Sequence, residues 1–61
     1  MRNVSKVFTI RRDGAWWAEI ISYDNGTFET SGAVGENEFV SFFALVLTLQ
    51  GHGIGLDELL Y

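Results

Sequence analysis

"IRRDGAWWAEI", residues 10–20, is the stretch whose reading decides how this chain folds. It contains Asp13-Gly14, a dipeptide that type I′ hairpin turns favour because both central residues need positive φ. It also contains Trp16 and Trp17, the only two tryptophans, side by side. Neighbouring side chains on a regular strand point to opposite faces, so the pair cannot share one core. Asn25-Gly26 is a second dipeptide of the hairpin kind. Runs rich in Val, Ile, Thr, Phe, Tyr and Trp surround both dipeptides and predict three antiparallel strands, over about 4–12, 15–24 and 27–34. No proline interrupts them.

Two-residue loops at both dipeptides fix a register. Arg12 then faces Ala15, Ile10 faces Trp17, Phe8 faces Glu19 and Val4 faces Tyr23. Beyond the second loop, Tyr23 faces Phe28 and Ile21 faces Thr30. One sheet face collects Val4, Phe8, Ile10, Trp17, Ile21, Tyr23, Phe28 and Val34. The other collects Ser5, Val7, Thr9, Arg11, Trp16, Ala18, Ile20, Ser22, Glu29 and Ser31. A bulge or a three-residue loop at either turn would change this assignment.

Gly32-Ala33-Val34-Gly35 ends the predicted sheet. Glu36-Asn37-Glu38 then opens "FVSFFALVLTLQ" and Gly51 closes it. Acidic residues at the start and glycine just past the end predict a helix of about four turns. Aromatic and β-branched residues keep a strand as the alternative, but the run is long for one. Phe39, Phe42, Phe43, Val46 and Leu49 recur at helical spacing and would cover the face carrying Trp17. Val40, Leu45 and Leu47 extend the apolar surface beyond one stripe and imply a second contact. The tail "GHGIGLDELLY" predicts a flexible link and a short helical segment from Leu56 to Tyr61. The fold class expected is α+β, in one domain over 1–61: a three-stranded meander, one helix and a short C-terminal helical segment.

The chain has no cysteine, which excludes disulfides, zinc knuckles and thiol nucleophiles. A domain of this size depends on apolar burial, with self-association as a natural supplement. No apolar segment reads as a signal peptide or a membrane span, so a cytoplasmic protein is expected. The net charge of −4 is unevenly distributed: Arg2, Lys6, Arg11 and Arg12 are the only bases, and all eight acids follow from Asp13 onward. Such a surface repels phosphate and favours basic partners, when it does not simply keep the chain soluble.

Chemistry-bearing motifs are sparse. His52 is the only histidine and lacks partners at a metal-ligand spacing, so neither a metal nor a cofactor is expected. "GHGIG" lacks the Lys-Ser/Thr of a phosphate loop and reads as a helix stop. Glu36/Glu38 and Asp57/Glu58 are neighbouring carboxylates suited to helix N-termini. Glu19 falls on the core face opposite Phe8, with Lys6 diagonally across as a rim ion-pair partner. No nucleophile or second acid accompanies it, and catalysis is not expected.

The register leaves Trp16 on the open face with Arg11 across from it, where the two could simply stack on each other. Val7, Trp16, Ala18 and Ile20 form an apolar island rimmed by Arg11, Glu29 and small hydroxyl side chains, which is the composition of a protein interface. Bases are too few for a nucleic-acid stacking platform. Trp16, Arg11, Val7, Ala18, Ile20 and Glu29 are therefore the candidate partner-binding residues. Asp24, Glu36, Glu38, Asp57 and Glu58 are candidate acidic contacts.

A charged hairpin, then "DGAWWAEI", a third strand and a helix resembles the small N-terminal domain of HicB-type antitoxins over about residues 6–50. Gly14, Trp16 or Trp17, Ala18 and Glu19 match that family's glycine, aromatic and "x-A-E-x" strand. The family's proline-glycine stretch and its threonine-led helix start are absent. The resemblance implies a toxin-contacting fold without a DNA-binding domain. Together these readings predict a non-enzymatic inhibitor of a basic, nucleic-acid-handling protein, antitoxin-like or a nucleic-acid mimic of the phage-inhibitor kind. A homo-oligomer joined through the open sheet or the helix is the alternative.

Overall fold

The computed structural model describes residues 2–59. Four strands form one antiparallel meander in the order of the chain: β1 (Val4–Arg12), β2 (Ala15–Tyr23), β3 (Phe28–Gly32) and β4 (Asn37–Phe39). Helix α1 (Phe42–Gly51) and a 3-10 turn at Leu56–Leu59 follow. The fold is α+β, with a fourth strand where three were expected. The C-terminal segment is a 3-10 turn; Leu60 and Tyr61, at the end of its expected span, lie outside the described residues.

The first hairpin turns as its sequence requires, with Asp13 at φ 55° and Gly14 at φ 78°, and Arg12 opposite Ala15. The register then slips. Arg11 pairs with Trp16 but Ile10 pairs with Ala18, so Trp17 is the extra residue of a β-bulge. Trp17 and Ala18, though consecutive, both belong to the covered side: Trp17 packs against the core and Ala18 is fully buried. A second slip between Val4 and Lys6 restores the original register.

The loop at Asn25-Gly26 also differs from expectation. Three residues, not two, turn the chain: Tyr23 N–H donates to Thr27 O at 2.9 Å and Gly26 N–H to Tyr23 O at 3.2 Å. Gly26 alone takes the left-handed conformation, at φ 85°, as the last residue of a three-residue loop does. The Asn25 carboxamide holds the longer turn by accepting from Thr27 N–H at 3.2 Å and from its hydroxyl at 2.6 Å. Ile20 therefore faces Thr30 and Ile21 faces Glu29.

These two single-residue departures lie at opposite ends of the same strand. β1 from Lys6 onward and β3 keep their expected faces, while β2 from Ala18 to Tyr23 is inverted between them, and Val4, beyond the second slip, moves to the open side with Tyr23. Ala18 and Ile20, expected on the open face, are 0% exposed and belong to the core with Ile10, Val34, Leu45, Leu49 and Ile54. Ile21 and Tyr23, expected inside, lie on the open side with Glu29. Glu19 is paired with Thr9 and Ser31 on that same open side, away from Phe8. Lys6 is on the other face, with its Nζ 4.9 Å from the Phe8 ring centroid, so the expected Lys6–Glu19 pair does not form.

Gly32-Ala33-Val34-Gly35 reverses the sheet instead of ending it. Gly35 N–H donates to Gly32 O at 3.0 Å, and the Thr30 hydroxyl donates to Gly35 O at 2.8 Å. Asn37, Glu38 and Phe39 then pair with Thr30, Glu29 and Phe28, which removes them from the expected helix. The helix waits for Ser41, whose extended backbone and hydroxyl cap it by accepting from Ala44 N–H at 3.2 Å. It is consequently ten residues long. Its buried stripe is Leu45 and Leu49, while Phe43, expected to face the sheet, is 72% exposed.

"GHGIG" stops the helix. Gly53 N–H donates to Gln50 O at 3.0 Å and Ile54 N–H to Leu49 O at 2.9 Å. Those are the two bonds of a Schellman motif, with its accompanying apolar contact supplied by the buried Ile54 and Leu49. His52 is the exposed C-cap residue. Among the described residues no helix is long and apolar enough to cross a membrane.

Candidate functional site

One side of the sheet is covered by α1 and the segment leading to Ile54; the other is open. Register places Val4, Val7, Thr9 and Arg11 of β1 on the open side. β2 contributes Trp16, Glu19, Ile21 and Tyr23, β3 contributes Glu29 and Ser31, and β4 contributes Glu38. Val7 and Trp16 remain about half exposed. The Trp16 ring reaches over Gly32: a Cβ on that glycine would stand 2.8 Å from the ring and 2.6 Å from Trp17 O. Gly32, at φ 90°, is thus required both by its backbone conformation and by the indole beside it.

Next to this apolar area lies a groove of about 430 Å³, lined by Ile21, Glu29, Thr30, Ser31, Glu36, Asn37 and Glu38. Three of its seven lining residues are carboxylates. Glu29 and Glu38 are directly opposed across β3 and β4, an arrangement that like charges disfavour. Arg2 relieves it from the rim. Its Nη2 lies 3.2 Å from Glu29 Oε2, its Nη1 binds Glu38, and its guanidinium stacks 3.9 Å above the Tyr23 ring. The Tyr23 hydroxyl donates to Glu29, which holds the phenol above its ordinary pKa because ionisation would set two anions side by side. Glu36, at the turn before β4, is exposed in the same groove.

The sequence-predicted residues are thereby divided. Trp16, Arg11, Val7 and Glu29 share the open side. Ala18 and Ile20 are withdrawn into the core and cannot touch a partner. Arg11 pairs with Trp16 across the ladder, but the guanidinium that stacks on a tryptophan is that of Arg12, 5.0 Å from the Trp17 ring centroid. Of the acidic candidates, Glu36 and Glu38 join Glu29 in the groove. Asp24 is bound by the backbone N–H and side chain of Asn3 at 3.0 and 3.3 Å. Asp57 is exposed on the 3-10 turn.

Glu58 lies on the covered side, where Arg12 donates to it at 2.6 and 3.2 Å and Gly55 N–H at 3.3 Å. The Arg12 hydrogen bonds hold its carboxyl below the usual glutamate range. Sequence reasoning missed the groove itself. Its signal was "FETSG" followed by "ENEF": two short alternating segments separated by glycine turns, each placing a glutamate on the same face.

Among the described residues, no three His, Asp or Glu side chains converge as metal ligands. A bare aromatic beside a carboxylate-lined groove can bury an apolar side chain and neutralise a neighbouring cation. No family model matches this chain, and neither does any curated protein or solved structure.

Proposed function

We propose that this chain is a small non-enzymatic cytoplasmic binding protein that neutralises a basic, nucleic-acid-handling protein through its open sheet face. The observation that carries this reading is the juxtaposition on one uncovered face of Trp16 and Val7 with the groove of Glu29, Glu36 and Glu38. Trp16 supplies the rigid apolar anchor that interface hot spots favour. The glutamates take the place that phosphates occupy on the partner's usual ligand, attracting it and fixing its orientation. The antitoxin-like strand "GAWWAEI" is consistent with this mode, since it delivers Trp16 to that face.

The test is capture of the partner from a lysate of the source cells by the tagged chain, its Trp16→Ala form and its Glu36→Lys form. Trp16→Ala should weaken binding roughly thirtyfold, the equivalent of losing a hot-spot contact of about 2 kcal/mol. Glu36→Lys should lower recovery and flatten its dependence on salt. Full recovery by both variants would remove the open face from the interface.

A further inference from the structure

Helix α1 has two apolar stripes, and among the described residues only one is covered. Leu45 and Leu49 are buried against the sheet. On the outward side, Phe43 and Leu47 stand one turn apart, 72% and 53% exposed, with Val40 bare just before the helix start, whereas Phe42 turns toward the sheet and packs its ring on Phe28, centroids 5.9 Å apart. A helix that is apolar all round belongs in an interior. Here half of it faces away from the sheet, on the side opposite the groove.

We infer that this outward stripe is the contact between two copies of the chain, packed helix against helix about a two-fold axis. Charge selects the occupant. Residues 39–51 contain no ionisable side chain, while Glu36 and Glu38 precede them and Asp57 and Glu58 follow. Two copies of a chain with net charge −4 repel wherever their carboxylates meet, and this is the face on which they meet none. A basic partner, by contrast, finds no countercharge there. In an isologous antiparallel pair Phe43 of one copy lies over Leu47 of the other, and the opposed helix dipoles add a small attraction.

The area sets the strength. At about 200 Å² for a bare phenylalanine, Phe43 leaves roughly 150 Å² open, and Val40 with Leu47 roughly 200 Å² more. That is a functional-sized patch but less than the ~800 Å² per partner of a standard interface. The dimer expected is therefore a weak one, populated toward the millimolar end of concentration. This inference concerns a different face from the proposed partner site and does not rest on it.

Sedimentation velocity of the full chain from low micromolar to millimolar concentration tests it, with Phe43→Glu/Leu47→Glu and Trp16→Ala run alongside and far-UV circular dichroism reporting the fold. The expected result is a mass rising from 6.8 kDa toward twice that value. The Trp16→Ala form should follow the same curve, and the folded double variant should stay monomeric throughout. A wild-type chain that remains monomeric at millimolar concentration overturns the inference, as does a double variant that dimerises equally well. Loss of the dimer in Trp16→Ala would move the contact to the open sheet. A monomer that co-sediments with phosphatidylcholine vesicles would give the stripe to a lipid surface; either result overturns the assignment.

Discussion

Gly32 concentrates several constraints at one residue. It ends β3 in a conformation that L-residues avoid, and its missing Cβ leaves space for Trp17 O and the Trp16 ring. Gly26 is equally left-handed at φ 85°, but nothing lies within 4 Å of where its Cβ would be. Gly26→Ala should therefore cost only the backbone term, about 1 kcal/mol. Gly32→Ala should cost about 3 kcal/mol, because backbone atoms must also give way. Thermal melts of the two variants check the order; equal losses would mean that the close approach contributes nothing. Sequence identifies Gly26 as a turn residue and Gly32 only as the start of a stretch that ends the sheet. It could not show that the Trp16 ring, sixteen places away, and the Trp17 carbonyl leave no room for a Cβ at Gly32.

At the scale of elements, β2 is the instructive strand. Ile20-Ile21 offers an apolar residue to either face, so hydrophobic pattern alone accepts both parities. The register deduced from two tight turns was self-consistent because its two errors compensated: a bulge at one end of β2 and a longer turn at the other. β1 from Lys6 onward and β3 consequently keep the faces that the sequence predicts, as do Trp16 and Trp17, while Val4 and the stretch from Ala18 to Tyr23 are inverted. The distinction is measurable. Ile20→Ala should destabilise by about 2–5 kcal/mol, as core truncations do, and the partly exposed Ile21→Ala by under about 1 kcal/mol. Chemical denaturation gives both values, and a larger loss at Ile21 would restore the unbulged register. The helix start was misplaced for a related reason. Acidic residues suit a first helical turn and also an edge strand, and only pairing with β3 decides for Asn37–Phe39. Ser41, a stronger cap, was present in the sequence all along.

At the scale of the whole molecule, the linear segregation of charge is undone by folding. The bases crowd the first twelve residues, yet Arg2 is carried to Glu29 and Glu38, and Arg12 to Glu58. One pair ties the start of the chain to the far edge of the sheet; the other ties the segment after α1 to β1. None of these partners was legible in sequence, because each depends on which strands become neighbours. Glu58 titrates lower in the folded chain than in the unfolded one, since Arg12 favours its ionised form. Its contribution is therefore present above the unfolded pKa of about 4.3 and is lost as pH falls through the lower folded value. Circular-dichroism melts from neutral to acidic pH should show Glu58→Gln less stable at neutrality and less sensitive to acid. Parallel curves for the two proteins would mean that the ion pair carries no linkage.

The bulge has a consequence for inheritance. A strand usually tolerates no change in length, because losing one residue sends every later side chain to the wrong face. Trp17 is surplus to the ladder, so a gene lacking its codon would still encode Arg11 opposite Trp16 and Ile10 opposite Ala18. Ser5 occupies the corresponding position on β1, between the Val4 and Lys6 pairs. At these two positions descendants of this chain can differ in length within a strand and keep the same pairing.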